Sequence, residues 1–329
     1  MAYSETIDAV GKLGVSKIWH LVVLILKTWK LVLIERPKCL YYLPASAHAV
    51  PVIRDIIYLV AVRWLFKKTI FHYHAGGLPL YLEGAGWLGK LAKMVYRKAD
   101  VSIELYQSEY SPGKVFDAHK TVFIPNGLDI EFVPKSRQDL SVIRLLFLGA
   151  LNEGKGVLDV IRTTALLRER GCEIACHFVG AWASESFKSE ACRLVAEEKL
   201  DGVVTFCGPM QGKQKWQAFA DADIFVFPSH YCSENFPLVI IEAMAFGLPI
   251  VSTTWRGIPQ LVGDSEAAVL CDLHAPEQYA DTLQEIYNNR ELREKMGDAG
   301  KKYYVQHYTR EKFLIKMEEV FRSVIDKVA

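Results

Sequence analysis

Glu234 and Glu242 stand on either side of a helix start in the stretch SENFPLVIIEAMAFG, residues 233–247. Pro237 suits a first helical position, where its missing N–H costs nothing. Gly247 and Pro249 form a stop signal. Between them every residue from Leu238 to Phe246 is apolar except Glu242. A helix apolar all round is normally buried all round, so a carboxylate in its middle asks for an explanation. The N-terminus near 236–238 offers free N–H groups and the positive end of a dipole, which suit an anion. Glu242 lies little more than one turn in, where it can reach a ligand over that terminus. The two vicinal hydroxyls of a ribose would satisfy it, and Glu234 could accept from a second sugar. Each carboxylate taken singly also has an ordinary explanation: favourable interaction with the dipole for Glu234, a narrow solvated stripe for Glu242.

A second feature strengthens the ligand reading. In VIRLLFLGALNEGKGVLDVI a strand ends at Gly149, a Gly-containing loop follows, and a helix begins near Gly156. Backbone N–H groups and a helix N-terminus of this kind can hold phosphate, and Lys155 adds a fixed positive charge. The spacing Gly149-x4-Gly154-Lys155 approaches a P-loop. Gly156 replaces the Ser or Thr whose hydroxyl would hold Mg²⁺, so a P-loop nucleotidase ranks as a distant alternative.

These residues need a scaffold, and the coarse pattern supplies one. Helical segments at 5–34, 50–66 and 87–98 alternate with strands at 39–44, 68–74, 101–105 and 121–125, the last ending in the turn Asn126–Gly127. The polar stretch 130–141, with Pro134, reads as a linker. A second set follows: strands at 142–149, 173–180, 203–208, 223–228 and 249–253, with helices at 156–170, 184–198, 213–222 and 236–246. A long amphipathic helix at 310–325 closes the chain. Strands apolar on both faces that alternate with helices predict parallel sheets. The expected fold is α/β, with two doubly wound Rossmann-like domains facing a cleft. The domains are placed at 1–138, with a C-terminal helix (308–329) packing back on it, and at 139–307.

Length and composition fit two globular domains: 329 residues, 51% hydrophobic and 23% charged. The net charge of +1 hides an asymmetry. Residues 1–138 carry 18 Lys+Arg against 11 Asp+Glu, a net +7, and the remainder is −6. The first half is therefore expected to meet something anionic. Seven scattered cysteines without a CxxC pair argue against a disulfide framework and for a reducing, cytoplasmic setting. The start shows no secretory signal. The apolar runs 17–34 and 49–66 are interrupted by Lys27 and Lys30 and by Arg54 and Asp55, which disfavours a membrane span.

The stretch SENFPLVIIEAMAFGLPIVST resembles the signature of retaining glycosyltransferases of family 4, which have the GT-B fold. The pattern is a Glu, seven residues, a second Glu, and a helix ending in a Gly-x-Pro turn. Phe236, Pro237, Leu238, Ala243, Met244, Gly247 and Pro249 also fit. The likeness extends through FLGALNEGKGVLDVI, VTFCG, DADIFVFPS and TTWRGIPQLVGD, and includes ADVSIEL and IPNGLD in the first half.

The resemblance implies roles residue by residue. Lys155 would bind the donor diphosphate, beside Gly149 and Ala150 of the loop. Glu242 would hold the ribose and Glu234 would lie beside the transferred sugar. Backbone at Asn235, Phe236, Pro237 and Leu238 would line the sugar and phosphate pocket, with Gly208 near the base. His74, at a first-domain strand end, would reach the donor sugar, with His72 as the fallback. Glu234, His74 and Lys155 form the expected catalytic set. Three departures stand out: Ala150 where the family has Arg, Gln260 and Arg256 in place of Glu and Gly, and a start later than the family's first strand and Gly-rich loop. Either the chain is a fragment or that strand is absent; in both cases nucleotide binding is expected to outlast transfer.

The expected function is transfer of a sugar from a UDP or GDP sugar to a glycan or lipid-linked acceptor, in synthesis of cell-surface polysaccharide or glycolipid. No cofactor, no catalytic metal and no nucleic acid partner are expected. A non-catalytic nucleotide-sugar-binding paralogue is the main alternative. The helix WLGKLAKMVYRK (87–98), read with Trp87, Leu88, Leu91, Met94 and Val95 on one side and basic residues on the other, predicts peripheral contact with the inner face of an anionic membrane.

Overall fold

The computed structural model describes residues 15–137, 141–232 and 234–325. The chain divides into two compact units, residues 1–125 with 314–329, and residues 126–313.

In the first unit the order is α1 (Val15–Glu35), β1 (Cys39–Tyr42), α2 (Ala49–Val62), β2 (Lys68–Tyr73), α3 (Leu78–Gly84), α4 (Gly86–Tyr96), β3 (Val101–Glu104), α5 (Pro112–Val115) and β4 (Thr121–Phe123). The strands pair in parallel in the order β1-β2-β3-β4, advancing one way across the sheet. Leu59, Val62, Phe71, Leu78, Ala92 and Tyr96 lie at the heart of its core. Asp55, which interrupts an apolar run in the sequence, is fully buried. Its carboxylate accepts from Tyr42 Oη at 2.8 Å, Tyr96 Oη at 2.8 Å and the Ala45 N–H at 2.7 Å. Such complete satisfaction is what lets a charge stay inside.

The amphipathic reading of 87–98 is corrected in part. Leu88 and Val95 are buried with Gly89, Ala92 and Tyr96, and Trp87, Leu91 and Met94 face outward. The inward stripe repeats at three- and four-residue steps, which places its neighbours Trp87, Leu91 and Met94 on the adjoining face.

The second unit contains β5 (Ile143–Leu148), α6 (Val157–Glu169), β6 (Ile174–Val179), α7 (Glu185–Glu197), β7 (Val204–Gly208), α8 (Gly212–Asp221), β8 (Ile224–Phe227), α9 (Leu238–Phe246), β9 (Ile250–Thr253), α10 (Ile258–Val262), β10 (Ala268–Cys271), α11 (Pro276–Asn288) and α12 (Arg290–His307). All pairings are parallel, in the order β10-β9-β8-β5-β6-β7. The winding reverses between β5 and β8, which makes this sheet doubly wound.

The division falls after Pro125, earlier than the 138 expected from the sequence. Leu128 donates to the Tyr308 carbonyl at 2.8 Å and accepts from Arg310 N at 3.0 Å. The linker reading of 130–141 is corrected where the chain is described. Ser136 and Arg137 donate backbone N–H groups to Asp221, and the Arg137 guanidinium pairs with Asp223 at 2.6 Å. The last helix, α13 (Arg310–Ile325), carries its residues from Leu314 onward in the first unit, where Phe321 meets the Tyr41 ring edge-on at 5.3 Å.

Candidate functional site

The strand order reverses between β5 and β8, and the C-terminal ends of the strands at such a reversal are where doubly wound sheets take ligands. From β5 the chain passes through Gly149 and Ala150 into a loop whose Asn152 side chain accepts the Lys155 N–H at 3.0 Å. From β8 it passes through Pro228 and Ser229 to Glu234. The two loops are tied by the His230 N–H, which donates to the Gly154 carbonyl at 2.8 Å. Gly156 takes a left-handed φ of 76°, and a Cβ there would stand 2.4 Å from the Pro228 oxygen. The close approach of the β8 loop therefore excludes the Ser or Thr that a P-loop places at this position.

The loops bring Lys155 and Glu234 together. The Lys155 ammonium pairs with Glu234 Oε2 and lies over the rings of Phe227, 5.3 Å away, and Tyr231, 5.0 Å away. The same carboxylate oxygen accepts from Ser229 Oγ at 2.8 Å. Both side chains are largely withdrawn from water, where charge-assisted contacts are stronger than at the surface.

Glu242 is buried on α9. Its Oε1 accepts from Lys215 Nζ at 2.5 Å, and Lys215 lies over the Trp216 ring at 4.5 Å. Its Oε2 is buried and has no hydrogen-bond partner among the described residues. Burial pushes the Glu242 carboxyl above the ordinary carboxylate range, and Lys215 opposes that shift. An acceptor oxygen in this state is suited to a ligand hydroxyl.

Among the described residues no side chain caps the N-terminus of α9, which begins after Pro237. Before it, Glu234 N–H donates to the Tyr231 carbonyl at 2.9 Å, and the Phe236 ring packs edge-on against Tyr308 at 6.0 Å. Asn235, Phe236, Pro237 and Leu238 thus form the lead-in to an open helix terminus, with Leu238 exposed. Gly208 ends β7 at the sheet edge, two strands from β5. In the first unit His74 directly follows β2 and is half-buried. His72 lies inside β2, fully buried, with Nδ1 2.7 Å from the Tyr41 hydroxyl and its ring 4.0 Å from that of His74. Burial, with His74 nearby, pushes the His72 imidazole down to about 3, so it stays neutral.

Sequence reasoning did not single out Lys215 and Ser229. Lys215 sits in a helix that reads as ordinary, and its partner is 27 residues away. The departure at Arg256 has a visible cost, since it adopts a left-handed φ of 47°, a conformation natural to glycine.

Residues 130–303 match the family model described as glycosyl transferases group 1. The D-inositol 3-phosphate glycosyltransferase of Arthrobacter sp. (strain FB24) is 33% identical over 184 residues, which cover 54% of this chain and 42% of that protein. The match thus spans less than half of that relative's length. Among solved structures, sucrose-phosphate synthase from Thermosynechococcus elongatus gives a TM-score of 0.76 at 20% identity, over 96% of this chain and 81% of that one. Anabaena Alr3699/HepE, solved in complex with UDP, gives 0.72 at 17% identity, over 92% and 82%. At such identities the likeness is one of fold, the two-sheet α/β architecture of GT-B proteins. Since the family model covers more than half of the chain, this protein belongs to the glycosyl transferases group 1 family.

Proposed function

We propose that this protein is a retaining glycosyltransferase that moves a sugar from a nucleoside-diphosphate sugar to a glycan or lipid-linked acceptor. The observation that carries the reading is the group of residues gathered after β5 and β8. There Lys155 and Glu234 are paired ahead of a helix N-terminus that no side chain caps among the described residues, and Glu242 on that helix keeps one buried oxygen without a partner among them. These groups match three parts of such a donor: diphosphate, sugar and ribose. HepE, which shares the fold, is solved with UDP, so UDP is the first nucleotide to test beside GDP.

In the reaction the acceptor oxygen bonds to the anomeric carbon as the bond from that carbon to the phosphate oxygen breaks. The nucleoside diphosphate departs with the electron pair, and its freed phosphate oxygen takes up the acceptor proton. Negative charge grows on the leaving phosphate. The N–H groups at the start of α9 are fixed by the helix, and Lys155, once drawn onto the bound diphosphate, adds its positive charge, so both stabilise that growing charge. Glu234 orients hydroxyls of the transferred sugar.

The acceptor side belongs to the first unit, whose sequence half carries the positive charge. Exposed Trp19, Trp29, Leu33, Trp64, Trp87 and Met94 stand among Lys and Arg residues there. That combination supports peripheral attachment to the inner face of an anionic membrane. No helix among the described residues is long and apolar enough to cross one. The test is release of free nucleotide from a panel of UDP and GDP sugars, with acceptor lipid in anionic vesicles. Proton NMR of the product then reads the anomeric configuration. Transfer with inversion would refute the retaining assignment, and absence of donor binding would refute the site.

A further inference from the structure

We infer that Asp159, His230 and His274 form a binding site for a zinc-type divalent transition-metal ion, which clamps the loops after β8 and β10 to the start of α6. The inference is independent of the glycosyl-transfer reading, because it concerns a different set of side chains.

Each of the three residues offers one ligand atom, and these atoms lie within 4.8 Å of one another. Zinc bonds of about 2.0–2.1 Å in tetrahedral geometry place ligand atoms about 3.3 Å apart. Asp159 Oδ2 and His274 Nδ1 are 3.4 Å apart, already at that spacing. The rings of His230 and His274 have centroids 4.1 Å apart. His274 is exposed, so its ring can turn to close the remaining gap. The other two ligands are held more firmly: Asp159 is buried in the first turn of α6, and the His230 backbone is tied to Gly154.

The state of His230 points to a ligand. Its Nδ1 is buried and has no hydrogen-bond partner among the described residues. A buried polar atom left in this state demands an explanation, and a metal bond would provide one. Arg162 stands 3.7 Å from Asp159 Oδ1, the oxygen turned away from His274, so Oδ2 is the one available to an ion. Two imidazoles and one carboxylate suit Zn²⁺, Co²⁺ or Ni²⁺, whereas Mg²⁺ and Ca²⁺ prefer all-oxygen sites.

Position suggests purpose. The ligands come from three segments, each following a parallel strand at its C-terminal end: β5, β8 and β10. An ion here would fix the segment that runs from Pro228 to Glu234 against α6, next to the loop that carries Lys155. It would take no part in bond making.

The test uses the full chain, stripped with chelator and titrated with Co²⁺ alone. The inference expects one equivalent bound with visible d–d absorption, displacement by Zn²⁺, and a thermal midpoint raised by Zn²⁺. His274→Ala, at an exposed position, and Asp159→Asn should each weaken Co²⁺ binding by at least about 100-fold, at the upper end of what loss of a mere outer-shell partner produces. His177→Ala, at a histidine elsewhere in the sheet, should leave it unchanged. Failure to bind at millimolar Co²⁺ would overturn the inference and leave a simple polar contact between Asp159 and His274. Binding that survives His274→Ala, or that shows near-ultraviolet sulfur-to-cobalt charge transfer, would overturn it in favour of another site.

Discussion

Glu242→Gln separates a ligand-binding carboxylate from a structural one. The substitution keeps the shape of the side chain and one acceptor oxygen, which can still face Lys215. It replaces the partnerless Oε2 with an NH₂ group, a donor where the ribose hydroxyls need an acceptor, and it removes the charge. Loss of one hydrogen bond to a charged group costs roughly 1.5–3 kcal/mol, so nucleotide affinity should fall roughly 10- to 150-fold. The free protein should behave differently. Burial holds the Glu242 carboxyl above its ordinary range, so the folded chain binds that proton more tightly than the unfolded chain does. The contribution of Glu242 to stability is therefore greatest at low pH and is lost as pH rises from the ordinary carboxylate range through the raised value. Glutamine carries no such loss. Lys215 keeps 22% of its side chain exposed and can turn to water. Denaturant midpoints near neutral pH should thus be unchanged or slightly higher, with a flatter pH dependence in acid. Titration calorimetry with UDP and GDP, paired with urea unfolding, reads both quantities. Unchanged nucleotide affinity, or an affinity loss that merely tracks unfolding, would refute the assignment.

Lys155→Ala should weaken donor binding by roughly 1.5–3 kcal/mol through loss of a charged hydrogen bond to phosphate, measured by calorimetry with the nucleoside diphosphate. Glu234→Gln releases Lys155 from its ion pair, so affinity for bare nucleotide should hold or rise a few-fold while turnover of the sugar donor falls at least about tenfold; parallel falls in both would count against a sugar-orienting role. His72 is held neutral with its pKa at about 3 against an ordinary 6.5, so its contribution to stability is complete above 6.5 and drains away as pH falls toward 3; urea midpoints across that window should flatten in His72→Gln by up to about 1.4 kcal/mol per pH unit. Gly156→Ala, which forces a Cβ against the Pro228 oxygen at a left-handed φ, should destabilise the second unit by roughly 1–3 kcal/mol in thermal unfolding, and donor binding should weaken with it.

The elements legible in the sequence were those whose burial is written into an apolar run. FLGALNEGKG and DIFVFPS read as strands leading into loops because central parallel strands are apolar on both faces, and β5 and β8 are such strands. No element is legible in the sequence between the strand near 249–253 and the helix at 310–325, where α10, β10, α11 and α12 lie. β10 is a four-residue edge strand with a mixed burial pattern, too short to show a period. α12 packs on α9 through glycines instead of an apolar stripe. A Cβ on Gly297 would stand 2.3 Å from the Gly247 oxygen, and one on Gly300 would touch Met244. Close approach by small residues leaves no hydrophobic periodicity to find. It also answers why α9 is apolar nearly all round: the sheet takes one side and α12 covers another.

The site divides along the same line. Glu234, Glu242 and Lys155 were visible because each sits at a local signal, a helix start or a strand-to-loop junction. Their arrangement was not, since it depends on which strands become neighbours. Lys155 and Glu234 are 79 residues apart and meet only because the winding reverses between β5 and β8. The pairing has a chemical consequence that spacing could not reveal. Glu234 balances the charge of Lys155, so the diphosphate of the proposed donor would have to draw the ammonium from a carboxylate that Ser229 also holds. Glu234 is then left with acceptor capacity beside the phosphate, where the sugar of an intact donor would stand. On the proposed donor chemistry, a bare nucleoside diphosphate would bear the cost of separating the pair and gain nothing at Glu234, whereas a nucleotide sugar would recover it through hydroxyls that donate to the freed carboxylate. The ion pair would then act as a selectivity element, favouring donor over product by the hydrogen bonds that only the sugar can supply.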